Sequence, residues 1–219
     1  MKKMNMTLLL GAVAGTIMLG SCGTTEAPTT ETPAAAAPAT GQAVHAINTE
    51  SSVVNWTGTM LGVKSHTGTL RFTQGELATT DGALTGGSFT VDMKNYNLTD
   101  ENYAPDGSEG GTRDNLMGHL MSADFFDVEN HPTAHFEITK VNGNTAEGNL
   151  TVRGTTHPET VKNIVLTQEG GNISATGDLT FDRQKYGVAY STGLKDMVLS
   201  DDINLKVELK GAPVVAERN

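Results

Sequence analysis

The chain has 219 residues, with 15 Lys+Arg against 25 Asp+Glu, one Cys, and a formal net charge of −10. That balance excludes a protein that works mainly by electrostatic grip on nucleic acid or anionic lipid. One Cys excludes an intrachain disulfide framework and a multi-cysteine metal site, and 25 Gly beside one Trp, four Tyr and six Phe fit turn-rich β structure better than a helical bundle.

Lys2 and Lys3 open the chain, followed by an apolar run from Met6 to Leu19 interrupted only by Thr and Gly. The run is shorter than the roughly 20 residues a membrane-spanning helix needs, and has the size of a signal-peptide core. Leu19-Gly20-Ser21-Cys22 resembles a bacterial lipoprotein cleavage box. That resemblance implies removal of residues 1–21 and acylation of Cys22, whose several chains would hold a membrane stably. Cys22 is therefore an expected anchor rather than a nucleophile or a ligand. The mature chain would carry 13 basic and 25 acidic residues, a net −12. Residues 24–43 are Thr, Ala, Pro or Glu at 18 of 20 positions. Such a segment cannot bury enough apolar surface to fold, so residues 22–43 read as a lipidated, flexible tether.

From residue 44 to residue 219 the pattern is all-β. Period-two alternation recurs at Leu70 and Phe72, at Phe89, Val91 and Met93, and at Phe136 and Ile138. It returns at Leu150 and Val152, at Leu179 and Phe181, and through Ile203, Leu205, Val207 and Leu209. Each strand thus has one apolar and one wet face, as antiparallel sheets with a single buried side require. Turn signals lie between them at Gln74-Gly75, Asp81-Gly82, Asn142-Gly143-Asn144 and Gly170-Gly171-Asn172. Short links predict a meander of about eight strands, which closes into a barrel and so removes its edges.

Lys94 to Thr112 reads as an exposed polar loop. In Arg113–Ala123, Leu116, Met117, Leu120 and Met121 fall at helical spacing, predicting a short helix over one barrel end. A Met-rich face suits an adaptable lid. The same residues also suit a plain plug of core.

The run His119-Leu120-Met121-Ser122-Ala123-Asp124-Phe125-Phe126-Asp127-Val128, then His131-Pro132-Thr133-Ala134-His135-Phe136, resembles the signature of the YceI-like lipid/polyisoprenoid-binding family. Leu150-Thr151-Val152-Arg153-Gly154-Thr155-Thr156-His157-Pro158 and Asp182-Arg183-Gln184-Lys185-Tyr186-Gly187-Val188 resemble that family's later segments, in order and spacing. The resemblance implies a lipocalin-like eight-stranded antiparallel β-barrel holding an isoprenoid or fatty-acyl chain in its lumen, and is compatible with a homodimer. The chain departs from the family in one place. Arg113-Asp114 lies three residues further upstream than the family's Arg-Asp pair, and Leu116 and Met117 stand in its usual positions.

A lumen for a long chain needs unfilled volume, in keeping with few aromatics and many small residues. The expected liners are Phe72, Phe89, Val91, Leu116, Leu120, Phe125, Phe136, Ile138, Leu150, Val152, Leu179 and Phe181. Alternation alone does not separate a hollow barrel from a filled one. Burial of a chain releases roughly 0.8 kcal/mol per CH₂, so about ten methylenes outweigh the association cost without an ion pair.

Other chemistries are weaker. His119, Asp124, His131 and His135 suggest a metal site on paper, but Pro132 breaks any regular helical pair. Ser122, His119 and Asp124 make a nominal hydrolytic set without a nucleophile elbow. An outer-membrane barrel needs aromatic girdles on an apolar exterior, which this composition does not supply. The expectation is a bacterial lipid-anchored binding protein facing the periplasm or cell exterior, with no catalysis, metal or cofactor. The alternative is a structural or interaction lipoprotein with a filled barrel.

Overall fold

The computed structural model describes residues 41–61, 64–191 and 198–214. The predicted signal peptide, Cys22 and nearly all of the predicted tether lie outside the described residues. Among the described residues the first strand starts at Gln42, two residues before the expected start of the barrel domain, and it has a partner on each side. The strands are β1 (Gln42–Ile47), β2 (Val53–Leu61), β3 (Lys64–Thr80), β4 (Ala83–Asp92), β5 (Asn97–Leu98), β6 (Thr133–Asn142), β7 (Thr145–Val152), β8 (Thr155–Glu169), β9 (Asn172–Asp182) and β10 (Val198–Pro213). The helix α1 spans Arg113–Met121, and Arg183–Tyr186 form a 3₁₀ turn.

Eight strands close an antiparallel barrel in the order β10-β2-β3-β4-β6-β7-β8-β9, with β9 returning to β10. Phe181 opposite Ile203 and Leu179 opposite Leu205 mark this closure, and Val54 opposite Val207 continues it on the other side of β10. β1 lies beyond the end of β2 and bridges β10 to the far half of β3, with Ile47 opposite Gly211 and His45 opposite Leu77. The predicted barrel is therefore present. β1, β2 and β8 were not singled out by alternation.

Three hairpins turn on two residues with positive φ, as type I′ turns demand: Asp81-Gly82, Arg153-Gly154 and Gly170-Gly171. The first and third carry predicted turn signals. Between β1 and β2, Asn48 Oδ1 accepts from the N–H groups of Glu50 and Ser51. Buried Ser52 then exchanges hydrogen bonds with the Lys210 backbone, fixing this corner to β10. Long β3 bends at a bulge between Phe72 and Gln74, where the strand leaves the lid end for the β1 end.

α1 sits at the end of the barrel where β4 stops and β6 begins. Thr112 caps it, its hydroxyl accepting from Asn115 N–H while the Asn115 side chain answers the Thr112 backbone. Leu120 is buried, and Leu116, Met117 and Met121 pack half-buried against the core. The helix ends at Ser122, whose hydroxyl donates to His119 O. Asp127 N–H turns back to Ser122 O and Val128 N–H to Met121 O, so Phe125 and Phe126 are driven under the helix into the core.

The segment expected as an exposed loop is one in part only. Tyr96 and Leu98 are buried, and β5 pairs with β3 at Gly68 and Thr69. Its two-residue strand is too short to leave a periodic trace.

Candidate functional site: an apolar lumen

Inward positions of the eight strands enclose a cavity of about 570 Å³. That lies within the usual 300–1,000 Å³ range of small-molecule sites. All twelve side chains singled out from the sequence border it. Phe72 comes from β3, Phe89 and Val91 from β4, Phe136 and Ile138 from β6, Leu150 and Val152 from β7, and Leu179 and Phe181 from β9. Leu116 and Leu120 of α1, with Phe125 behind them, close the end. The sequence reading did not name Val54, Trp56 and Met60 of β2, or Ile203, Leu205, Val207 and Leu209 of β10, which also line the cavity. For β10 the signal was the same alternation. Tyr96 and Tyr103 are liners carried by the irregular segment, where no period marks them.

One glycine shapes the packing of the wall. Gly148 faces inward on β7 and the Phe136 ring lies against its bare backbone, where a Cβ would collide with the ring. Only glycine permits so close an approach of a ring to the wall.

The polar groups of the site gather at the lid end. His66, at the start of β3, points Nδ1 at Asp100 Oδ1, 3.1 Å away, and stacks on Tyr103 at 5.0 Å between ring centroids. Burial alone would raise the Asp100 carboxyl. Hydrogen bonds from Thr67 N–H, Tyr103 Oη, Asn102 N–H and His66 outweigh it and hold the carboxyl well below its usual range. Burial, reinforced by that bond to Asp100, pushes the Tyr103 hydroxyl up. Arg113 clamps this loop, donating to Leu98 O at 2.7 Å and Asp100 O at 2.8 Å with its guanidinium over the Tyr103 ring. The displaced Arg113 thus has an architectural place at the mouth. Burial lowers the His119 imidazole, with Asp124 opposing, and the ring packs edge-on against Tyr190 at 4.2 Å and Phe125 at 5.3 Å.

The other motif residues hold this end together. Arg153 reaches from the β7–β8 turn to Ala123 O and Gly187 O, tying the segment after α1 to the 3₁₀ turn. Arg183 is 2 % exposed and donates to Ser200 O, Val188 O and Asp201 Oδ1, latching β9 onto β10. Tyr186 is fully buried, donates to Glu159 Oε1 at 3.1 Å, and meets Phe181 edge-on.

The nominal catalytic and metal sets are not assembled. The Ser122 hydroxyl is bound to the backbone of His119, His131 lies against Gly154 with Asp127 3.9 Å away, and His135 Nδ1 pairs with Thr90 Oγ1. Among the described residues no cluster of three His, Cys, Asp or Glu is placed to hold a metal.

Residues 45–211, which contain all but the last two residues of the closed barrel together with α1, match the family model of the YceI-like domain. The chain belongs to the YceI-like family. A UPF0312 protein of Pseudomonas paraeruginosa is 33% identical over 145 residues, covering 57% of this chain and 69% of that protein. A UPF0312 protein of Staphylococcus epidermidis is 33% identical over 104 residues, 44% of this chain and 58% of its own. Among solved structures, Burkholderia cenocepacia BcnA is similar with a TM-score of 0.60 and 19% identity, over 75% of this chain and 98% of BcnA. A polyisoprenoid binding domain from Saccharophagus degradans is similar with a TM-score of 0.50 and 11% identity, over 78% and 98% respectively. At those identities the structural likeness speaks for the fold. In this YceI-like barrel the family's sequence blocks supply the end of α1 and the turn after it, the Arg153 contacts to Ala123 O and Gly187 O, and the Arg183 contacts to β10.

Proposed function

We propose that this YceI-like barrel binds a long apolar chain, an isoprenoid or fatty-acyl derivative, in its lumen, and carries, stores or sequesters it without chemistry of its own. The observation that carries the reading is the cavity of about 570 Å³ lined almost wholly by apolar side chains. Transfer of each methylene into such a space releases roughly 0.8 kcal/mol. The description of the Saccharophagus degradans domain as polyisoprenoid binding supports the same ligand class. The twelve named liners are the proposed contacts. Anchorage through acylated Cys22, facing the periplasm or cell exterior, completes the proposal and rests on the residues before and after that cysteine.

The protein purified without denaturation and analysed by native mass spectrometry after organic extraction tests the binding reading. A recurrent co-purifying long-chain lipid is expected. A uniformly ligand-free protein that takes up no added long-chain lipid would sink it. Cys22→Ser tests the anchor: the variant is expected in the soluble fraction with an unchanged fold, and continued membrane association overturns that part.

A further inference from the structure

The lumen is apolar, yet its ionisable lining is one-sided. Apart from tyrosines, the ionisable residues that line it are Lys64, His66, His119 and His135, and no Asp or Glu does so among the described residues. This holds in a chain with 25 acidic and 15 basic residues. Burial disfavours the charged form of His119, which packs within its aromatic cluster, and His135 is engaged with Thr90 on β4. Lys64 and His66 are different. They start β3 two residues apart, both half-buried, beside the loop that Arg113 clamps.

The carboxylate nearest to them is already committed. Asp100 accepts from Thr67 N–H at 2.9 Å, Asn102 N–H at 3.0 Å, Tyr103 Oη at 2.7 Å and His66 Nδ1 at 3.1 Å. These bonds face its charge into the loop. They also orient the imidazole: with Nδ1–H given to Asp100, Nε2 is the nitrogen turned to a ligand, and it meets an anion as a donor in the imidazolium form, the neutral ring offering only an acceptor there. The Lys64 ammonium gives one hydrogen bond to Asn102 O, 3.2 Å away, and has the capacity for two more. The depth of the lumen cannot solvate a charge. An ionised head group is therefore held where the apolar wall meets water, and that is where Lys64 and His66 stand.

We propose that Lys64 and His66 form an anion-recognition site at the mouth of the lumen for the carboxylate or phosphate head of the long-chain ligand. This rests on the lumen reading above. It makes the ligand an anionic amphiphile, orients it with its tail toward the β1 end, and distinguishes it from a neutral lipid of the same length.

Displacement titration of the purified protein with laurate and with 1-dodecanol tests it, because the two probes share one tail and differ in head group. The native protein is expected to bind laurate on the order of tenfold tighter, the effect of one charge-assisted hydrogen bond. Lys64→Met is expected to bring laurate down to the dodecanol level and leave dodecanol unchanged. Lys64→Arg is expected to keep the preference, and His66→Gln to reduce it. Equal affinity for the two probes in the native protein overturns the proposal, as does a preference that survives both Lys64→Met and His66→Gln. Inorganic phosphate that binds Lys64 and His66 as tightly as laurate identifies a free-anion site and overturns the head-group assignment. If neither chain binds, the lumen reading falls and takes this proposal with it, a result distinct from equal binding.

Discussion

Trp56 on β2 lies directly opposite Gly68 on β3, and its indole covers the glycine so closely that a Cβ there would stand 2.6 Å from the ring. The same Cβ would meet Asn97 O of β5 at 2.6 Å. Backbone on one side and a wedged indole on the other leave no room to yield. Gly68→Ala is therefore expected to destabilise the protein by about 1–3 kcal/mol through overpacking and to push Trp56 into the lumen. Denaturant unfolding reads the first effect, and reduced capacity for a long-chain probe reads the second. Unchanged stability would mean that the wall is softer than this packing implies.

Arg183 is a second point of leverage. Its replacement by Ala leaves Ser200 O and Val188 O without their donor and removes the ion pair to Asp201, 2.9 Å away. Asp201 is half exposed, so most of the cost comes from the buried carbonyls. Arg183→Ala is expected to lower unfolding stability by about 2–4 kcal/mol. A loss below about 0.5 kcal/mol, the level of an ordinary surface substitution, would show that β9 and β10 close without this latch.

Asp100 governs the acid side of the stability profile. Its folded pKa is depressed, so its contribution is fully present above the unfolded carboxylate value of about 3.9 and is lost as pH falls below it. The native protein is expected to lose stability on acidification below about pH 4 more steeply than Asp100→Asn, whose side chain does not titrate. Parallel slopes for the two proteins would contradict the assignment.

Leu120 tests the lid. It is 6 % exposed, under α1 and against the cavity. Leu120→Asp places an unpaired charge there and is expected to abolish retention of a bound chain while circular dichroism still reports the barrel. Normal lipid content in this variant would show that α1 does not close the lumen.

The barrel was legible in the sequence because its physics is local and periodic. Ile203, Leu205, Val207 and Leu209 alternate with charged or amide neighbours, and each faces the lumen side of β10. The liners on β4, β6, β7 and β9 were readable for the same reason. Alternation did not reveal the hollow interior, because Phe136 reads identically in a filled barrel. The Phe136 ring packs against Gly148 of the neighbouring strand, diagonally across the pair, a relationship without a local signature. The mouth was equally hidden. Asp100, Tyr103 and His66 meet only because β5 folds the 97–103 stretch back onto β3, and a two-residue strand carries no period. Arg113 looked out of place in the sequence, and its reach to Leu98 O explains where it went.

The central claim is that the lumen takes an apolar chain, and the dependence of affinity on chain length tests it most directly. Calorimetric titration of the purified protein with 1-alkanols of increasing length is expected to show affinity rising about fourfold per added methylene, the equivalent of roughly 0.8 kcal/mol. The rise should level off once the cavity is full. Affinity that does not change with chain length would contradict the account.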